Sequence, residues 1–245
     1  MHPTLIHVPH ASVYIPDEYI SDYRAEVVKR ELLKMTDRYC DELFDFGREM
    51  IRCPVSRLVC DVERFRDDEN EVMSAVGMGW YYTKCSDGTP LRRASGERRN
   101  EILQKYYDPH HAAFEEAVTN RLNAFGRCLI IDGHSFCSEP LPFELDQTKD
   151  RPDFCIGTDS FHTPQQLTEA CVAFLESKGC SVKINSPFTG SIVPMRYYAK
   201  DTRVSSVMLE VNRRLYMDEC GRKIKGFNSV KETLTELLSV LETTL

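Results

Sequence analysis

Short apolar runs alternate along the chain with longer stretches in which apolar residues recur at the helical period. This alternation predicts strands separated by helices, and hence an α/β layered sheet. The predicted strands are residues 5–9, 57–62, 127–132, 153–158, 182–184 and 207–211. The predicted helices are residues 24–34, a segment from Thr36 or Asp37 to 48, and residues 97–123, 164–178 and 228–241.

Local signals predict where several of these elements end. Gly179 follows the helix over 164–178, and glycine readily adopts the left-handed conformation that closes a helix. Asp108 can cap a helix and Pro109 can occupy its first turn, so a break is expected there within 97–123. The polar, glycine-containing stretches 66–80 and 84–97 predict long loops, which in compact domains tend to be functional or mobile.

Composition narrows the class of protein. The 245 residues, 42% of them hydrophobic and 28% charged, suffice for one large α/β domain with a sizeable core. The net charge of -7 and the lack of a basic stripe argue against a nucleic-acid partner. No apolar run approaches the roughly 20 residues of a membrane span, and the first residues lack a signal-peptide pattern. The ten cysteines form no Cys-x-x-Cys pair, which predicts reduced thiols and a cytoplasmic location.

Ionisable residues gather just after or within the predicted strands. In α/β sheets, ligands bind beyond the carboxyl ends of the strands. Side chains from different strand ends can therefore meet in one catalytic or metal site. The residues at these ends are His10, Asp61, Glu63, Arg64, Asp132, His134, Glu210, Asn212 and Arg213.

Two histidines at two strand ends predict a zinc centre. Zinc binds imidazole nitrogen and carboxylate oxygen, and His10 and His134 with one acid would leave a position for water. The sequence leaves the acid open among four candidates: Asp37, Asp61, Glu63 and Asp132. Asp37 can equally be only a helix cap, and Asp132 can orient an imidazole instead of binding the metal.

Glu210 is the candidate base. It lies within the apolar run 207–211, and a carboxylate there is costly unless it has a partner or a catalytic task. Burial would raise its pKa and suit it to take a proton from water. The structural alternative is an internal salt bridge to Arg213.

Arginines and further histidines carry weaker signals. The fork of Arg57 or Arg64 matches a substrate carboxylate, although either can instead form an ion pair within its own segment. His110 and His111 are adjacent on a predicted helix, cannot share one face, and are expected to be structural. His162 is expected to be a loop or cap residue.

An ordered set of short motifs resembles the N-formylglutamate amidohydrolase family. Each motif is modest alone, and their order along nearly the whole chain is specific. The motifs are VPHAS at 8–12, TDR at 36–38, DEL at 41–43, residues 57–64, YYDPHH at 106–111, DGHSF at 132–136 and EVNRRLY at 210–216.

The resemblance implies a fold, an activity and a cofactor. The fold is a three-layer α/β/α arrangement with a mixed central sheet, phosphorylase/hydrolase-like and similar to the zinc exopeptidases, in one catalytic domain over 1–245. The activity is hydrolysis of N-formyl-L-glutamate, or a similar N-acyl amino acid, to formate and the amino acid, as in histidine catabolism. The cofactor is one zinc ion, and the partner is the small-molecule substrate, without nucleic acid or membrane.

The resemblance also assigns residues. Three positions match the metal ligands: His10, Asp37 and His134. Glu210 matches the catalytic glutamate, and Arg57 is the residue expected to polarise the carbonyl. Arg64 matches the substrate-binding arginine, and Arg213 is expected to assist it.

One position departs from the family pattern. The asparagine expected before the substrate-binding arginine is Glu63 here, directly beside Arg64. A negative charge at this position would repel a substrate carboxylate or neutralise the arginine. The departure therefore bears on the choice of substrate more than on the hydrolysis.

Two other functions agree with the same residues. A zinc carboxypeptidase or amidase acting on small peptides would use the same metal site on a different substrate. A metal-free binding protein would keep the hydrolase scaffold without its chemistry. A panel of acylated amino acids separates the first alternative, and elemental analysis separates the second.

Overall fold

The computed structural model describes residues 1–93 and 95–245; Ala94, in the predicted loop 84–97, lies outside the described residues. The strands are β1 Thr4–Val8, β2 Met50–Arg52, β3 Cys128–Phe136, β4 Phe154–Gly157, β5 Val182–Ile184 and β6 Val204–Asn212. The α-helices are α1 Asp17–Ile20, α2 Ala25–Met35, α3 Cys40–Leu43, α4 Gly96–Ile102, α5 Asp108–Phe125, α6 Gln165–Ser177 and α7 Gly226–Thr244. Shorter helical segments are the 3-10 turns Val72–Val76 and Arg213–Leu215 and the π segment Leu103–Tyr107.

The six strands form one mixed sheet in the order β2-β1-β3-β6-β4-β5. β2, β1, β3 and β6 run parallel to one another, whereas β4 runs antiparallel to β6 and parallel to β5. Because β1, β3 and β6 share one direction, their carboxyl ends lie at the same edge of the sheet. The mixed α/β sheet expected from the resemblance is confirmed.

Helices cover both faces of the sheet, which gives three layers. On one face, α3, α6 and α7 pack against alternate strand residues such as Ile6, Ile131 and Leu209. On the other face, α5 packs against the intervening residues such as Leu5 and Ile130. A fully buried side chain of this size contributes about 1.5–3 kcal/mol to folding, so these two interfaces hold the layers together.

A third apolar cluster lies outside the sheet. It joins α1, α2 and the long segment between β2 and α4, with Tyr19, Leu58 and Trp80 almost fully buried. The cluster gives this segment, which contains few regular elements, a core of its own. Within the described residues, none of the helices has the length and apolar character needed to span a bilayer.

Two predicted elements were wrong. Residues 57–62 do not form a strand; they form turns in which the carbonyl of Ser56 accepts from the amides of Val59 and Cys60. Their apolar side chains fill the third cluster, and a buried apolar run alone does not distinguish a strand from a buried loop. The second strand along the chain, β2, lies between the helix predicted to end at residue 48 and the strand predicted over 57–62, where no element was predicted.

The helix predicted from Thr36 or Asp37 to residue 48 shrinks to the single turn of α3. Asp37 does not cap it, because its carboxylate contacts Arg213 and histidines instead. Tyr39, just before α3, has a φ of 68°, and Gly47 has a φ of 66°. Left-handed residues at both places interrupt helical geometry, which propensity alone did not reveal.

The other predicted elements are confirmed, with shifted ends. β3 and β6 extend beyond the apolar runs 127–132 and 207–211, so that both strands include site residues. The break expected at Asp108–Pro109 was wrong, because the helical stretch continues through the π segment Leu103–Tyr107 into α5. Asp108 is the first residue of α5 and not a cap, and Pro109 is tolerated in its first turn.

Candidate functional site

The alternation of β3 and β6 brings site residues together on one face of the sheet. His134 of β3 is the register partner of Glu210 of β6, and His7 of β1 is the partner of Asp132. Asp132 and His134 are two residues apart, so all four side chains lie on the same side as α5. Of the four, only His134 was expected beyond its strand, because that strand was predicted to end at Asp132 and β3 continues to Phe136.

Two loops add His10 and Asp37 to this edge. His10 lies two residues beyond β1, and its carbonyl accepts a hydrogen bond of 3.0 Å from the amide of Asp37. This bond ties the β1 exit to the segment between α2 and α3. Both side chains are buried, at 2% relative exposure each.

The predicted metal ligands converge in the structure. Oδ2 of Asp37 lies 3.2 Å from Nδ1 of His134 and 3.7 Å from Nδ1 of His10. The two imidazole rings are 5.2 Å apart between centroids. Oδ1 of Asp37 faces away and accepts from Nη2 of Arg213 at 2.8 Å. Each of the two histidines therefore presents one nitrogen to a single carboxylate oxygen.

The second nitrogen of each histidine contacts a different carboxylate. Nε2 of His10 is 2.9 Å from Asp61, and Nε2 of His134 is 3.0 Å from Asp132. In metal sites, the ligating histidine commonly donates its other nitrogen to such a carboxylate, which fixes the ring and raises its basicity. Asp61 and Asp132 are two of the four acids that the sequence left as candidate ligands. In the structure they contact the Nε2 atoms of His10 and His134.

The donors fit a divalent ion. Nδ1 of His10 is buried and lacks a hydrogen-bond partner, which is costly for a polar atom unless a ligand completes it. Two imidazoles and a carboxylate are the ligand types of a catalytic zinc. A second carboxylate is available as well, because ligand atoms of His10, Glu63 and His134 lie within 4.8 Å of one another.

Glu63 points toward the histidines and not toward Arg64. Its Oε2 lies 3.6 Å from Nδ1 of His10, and its Oε1 lies 3.2 Å from Nε2 of His134 and 3.7 Å from Nδ1 of His7. Among the described residues it forms no ion pair with Arg64. Neutralisation of the arginine, the consequence expected from this departure, is therefore not what the structure shows.

The three site arginines differ in what they bind. Arg57 donates to Asp61 through Nη2 at 2.8 Å and Nε at 3.2 Å. Arg213 is committed to Asp37, to Ser135 and to a backbone carbonyl. The guanidinium of Arg64 donates no hydrogen bond within the described part of the chain, although its Nε lies 3.7 Å from Oδ2 of Asp61, an oxygen that Arg57 already binds. Arg64 is thus the guanidinium left to receive an anion.

Glu210 has the properties expected of a proton carrier. Burial raises its pKa to about 8, and the charges of Asp37 and Glu63 act in the same direction, whereas His134 and Arg213 oppose them. Its Oε2 is buried and has no hydrogen-bond partner. No ion pair joins it to Arg213 among the described residues, so the structural alternative of an internal salt bridge is not supported.

The pKa values of Asp37 and Asp61 are shifted downward, opposite to that of Glu210. Burial alone would raise the pKa of Asp37, but the nearby imidazoles of His10 and His134 and the charge of Arg213 hold that pKa well below its usual range. The pKa of Asp61 is also held well below its usual range, since Arg57 and His10 outweigh burial. Both carboxylates are therefore anions available to a cation or an imidazolium.

Sequence reasoning missed the role of His7. Its Nδ1 lies 2.8 Å from Oδ1 of Asp132, and its Nε2 lies 3.1 Å from Nε2 of His110. A histidine inside an apolar strand, with the period-two parity that points it to the face of Asp132, was the available signal. His110 was expected to be structural. In the structure it contacts His7, which in turn contacts Asp132.

Comparison with known proteins gives consistent matches. The sequence profile of the family described as N-formylglutamate amidohydrolase matches residues 2–217. An N-formylglutamate deformylase from Pseudomonas putida is 28% identical over 230 residues, covering 89% of this chain and 82% of that protein.

Solved structures resemble the chain over its whole length. The crystal structure of an N-formylglutamate amidohydrolase from Ralstonia eutropha JMP134 matches with a TM-score of 0.85 and 22% identity, over 99% of this chain and 93% of that one. A gene product of Agrobacterium tumefaciens matches with a TM-score of 0.72 and 22% identity, over 99% and 90% of the two chains. At this identity the likeness establishes the fold.

Proposed function

Because the chain belongs to the N-formylglutamate amidohydrolase family, we propose that it hydrolyses the formyl amide of N-formyl-L-glutamate to formate and glutamate. The observation that carries the proposal is the convergence of His10, His134 and Asp37 beside Glu210, together with an Arg64 side chain that donates no hydrogen bond among the described residues. These are the parts that amide hydrolysis needs: a cation site, a base and an anchor for the acid.

We assign zinc to Nδ1 of His10, Nδ1 of His134 and Oδ2 of Asp37. The orphaned nitrogen of His10 and the carboxylates behind both imidazoles support this assignment. When bound, zinc supplies a Lewis acid that polarises the formyl carbonyl and makes water a nucleophile near neutral pH. Arg213 holds the far oxygen of Asp37 and so orients the carboxylate toward the histidines.

Glu210 is the proposed proton carrier of the reaction. It takes a proton from the attacking water and returns it to the amide nitrogen as the carbon–nitrogen bond breaks. A pKa raised to about 8 allows one carboxyl group both to accept and to donate near neutral pH. Arg57 is proposed to polarise the formyl oxygen while Asp61 holds its guanidinium in place.

Arg64 is the proposed anchor for a substrate carboxylate. Its guanidinium donates no hydrogen bond among the described residues, and its contact with Asp61 is a longer ion pair of 3.7 Å. An arginine fork binds a carboxylate through two parallel hydrogen bonds. Substrate binding by Arg213 stays a prediction, and in this structure its nitrogens are directed at protein groups.

We place the reaction in a single catalytic domain over 1–245 and in the cytoplasm, within histidine catabolism. The site draws on residues from His10 to Arg213, which agrees with one domain. All ten cysteines are free thiols, which agrees with a reducing compartment.

A substrate panel tests the proposed activity. Purified protein loaded with zinc is incubated with N-formyl-L-glutamate, N-acetyl-L-glutamate, N-formyl-L-leucine and a glutamate-containing dipeptide, and the free amine is measured. The proposal expects N-formyl-L-glutamate to give the highest kcat/KM. Preferential cleavage of the dipeptide would instead favour a peptidase.

Replacement of the base tests the mechanism. Glu210→Gln keeps the size of the side chain but cannot accept the proton, so turnover should fall by about two orders of magnitude or more. Zinc content should stay equal to that of the unaltered protein, because Glu210 is not among the proposed ligands. Unchanged turnover would exclude Glu210 as the base.

A further inference from the structure

A second set of potential metal ligands lies next to the proposed zinc ligands. Ligand atoms of His7, Glu63 and Asp132 all lie within 4.8 Å of one another. Nδ1 of His7 is 2.8 Å from Oδ1 of Asp132 and 3.7 Å from Oε1 of Glu63. Zinc bonds of 2.0–2.1 Å in tetrahedral geometry separate the donor atoms by about 3.3 Å, which lies between these two distances.

His7 and Asp132 each have orienting partners of the kind that metal ligands usually have. Nε2 of His7 contacts Nε2 of His110 at 3.1 Å, and the His7 ring stacks on Phe114 with centroids 4.7 Å apart. The second oxygen of Asp132 accepts from the amide of Ile192 at 3.3 Å. Partners of this kind fix the orientation of a ligating imidazole or carboxylate.

Glu63 connects this set to the proposed zinc ligands. Its Oε1 lies 3.7 Å from Nδ1 of His7 and 3.2 Å from Nε2 of His134, the nitrogen of His134 that is not assigned to zinc. Its Oε2 lies 3.6 Å from Nδ1 of His10. A carboxylate with one oxygen toward each of two donor sets has the arrangement of a bridging ligand. Two-metal hydrolytic sites hold their ions about 3.5–4 Å apart, within reach of one such carboxylate.

We propose that this chain binds a second divalent cation at His7, Asp132 and Glu63, with Glu63 shared between the two ions. The residue that makes the second site possible is Glu63. An asparagine at this position would offer one neutral oxygen, whereas Glu63 offers two oxygens and an additional negative charge. Glu63 can therefore contribute an oxygen to each of the two ions.

Metal stoichiometry tests the proposal without recourse to activity. Protein stripped with a chelator is dialysed against zinc, freed of excess metal, and analysed for bound zinc per chain. The expected result is two equivalents for the unaltered protein and one for Glu63→Gln. Glu69→Gln is the matched control, because Glu69 is an exposed acid of the same segment and should leave two equivalents.

A spectroscopic measurement gives the same answer without a variant. Two manganese ions that share a carboxylate couple magnetically, so the loaded unaltered protein should lack the electron paramagnetic resonance spectrum of isolated Mn²⁺. One equivalent of zinc with an isolated-ion spectrum would overturn the second site and leave the proposed single-zinc function intact. Two equivalents that persist in Glu63→Gln would overturn it as well, by placing the second ion elsewhere.

Discussion

At the scale of single residues, the site depends on which atom each side chain turns toward its neighbour. His10 and His134 both direct Nδ1 at Asp37 and Nε2 at a separate carboxylate. This division leaves each imidazole one nitrogen for a cation and one for an orienting partner.

Substitution of Arg64 tests the anchor at this scale. Arg64→Ala should lower kcat/KM for N-formyl-L-glutamate by about 10- to 100-fold, because a hydrogen bond to a charged group contributes about 1.5–3 kcal/mol. The melting temperature should change little, since the guanidinium has no hydrogen bond to lose in the described structure. Steady-state kinetics and thermal unfolding measure the two effects.

Arg66→Ala is the control for that substitution. Arg66 is exposed and forms a surface ion pair with Asp108, so its loss should leave kcat/KM within about two-fold, as expected for a surface pair of small free energy. An equal fall in both variants would mean that the general charge of the segment, and not Arg64 itself, attracts the substrate.

Residue types and order identified much of the candidate site. His10, Asp37 and His134 are brought together in the structure, and their role as metal ligands stays a prediction. The direction of Glu63 could not be predicted, because spacing in a loop does not tell where a side chain points. His7 was missed because a histidine in an apolar strand resembles an ordinary buried residue until its register with Asp132 is known.

At the scale of elements, β3 packs against helices on both faces of the sheet and also carries residues of the candidate site. Its alternate residues face α3 on one side and α5 on the other, and Gly133 separates Asp132 from His134. A Cβ added at Gly133 would lie 2.7 Å from ring atoms of Phe44, which is fully buried. The glycine is thus required by the packing of the loop that follows α3.

Gly133→Ala should therefore destabilise the fold. Overpacking of a filled core costs about 1–3 kcal/mol, because the Phe44 ring cannot shift without displacing its neighbours. Denaturant unfolding monitored by circular dichroism measures the change. Gly96→Ala is the matched control, since nothing lies within 4 Å of its added Cβ, and a similar loss in both variants would contradict the packing argument.

Elements with a strong period were predicted, and those shaped by tertiary contacts were not. The apolar runs of β3, β4 and β6 and the long helices are visible in the sequence because period and length agree. The run 57–62 is apolar because its side chains fill the third apolar cluster, which also contains Trp80. The sequence alone does not distinguish such a run from a buried strand. β2 was missed because its three residues carry too little pattern.

At the scale of the whole molecule, segments distant in the sequence meet at one concentration of negative charge. Five carboxylates lie among the histidines and three arginines of the site: Asp37, Asp61, Glu63, Asp132 and Glu210. Mutual repulsion among buried anions disfavours the folded state unless cations compensate. A metal that binds only the folded chain is therefore expected to stabilise the entire domain.

Removal of the metal should lower the melting temperature. At a free zinc concentration of 1,000 times Kd, binding to the folded state alone adds about 4 kcal/mol to the free energy of unfolding. Scanning calorimetry of chelated and reloaded protein measures this difference. Asp37→Asn should diminish it, because the variant lacks a proposed ligand; identical melting with and without chelator would exclude a metal that stabilises the folded state.

The layered α/β architecture was predictable as a whole, whereas the antiparallel β4 was implied only by the family resemblance. Alternating strands and helices favour parallel neighbours. The position of β4 between β6 and β5 depends on the long loop after β3, whose path has no signature in the sequence. Tertiary packing therefore decided the strand order that the pattern left undetermined.

The two-residue alternation of β3 and β6 also limits how this protein can change in length over evolution. A one-residue insertion or deletion before His134 within β3 would turn the imidazole toward the apolar layer beside α7. It would also turn a leucine or isoleucine toward the candidate site. Insertions and deletions should therefore accumulate in the connecting loops and be purged from these two strands, even where point substitutions are accepted.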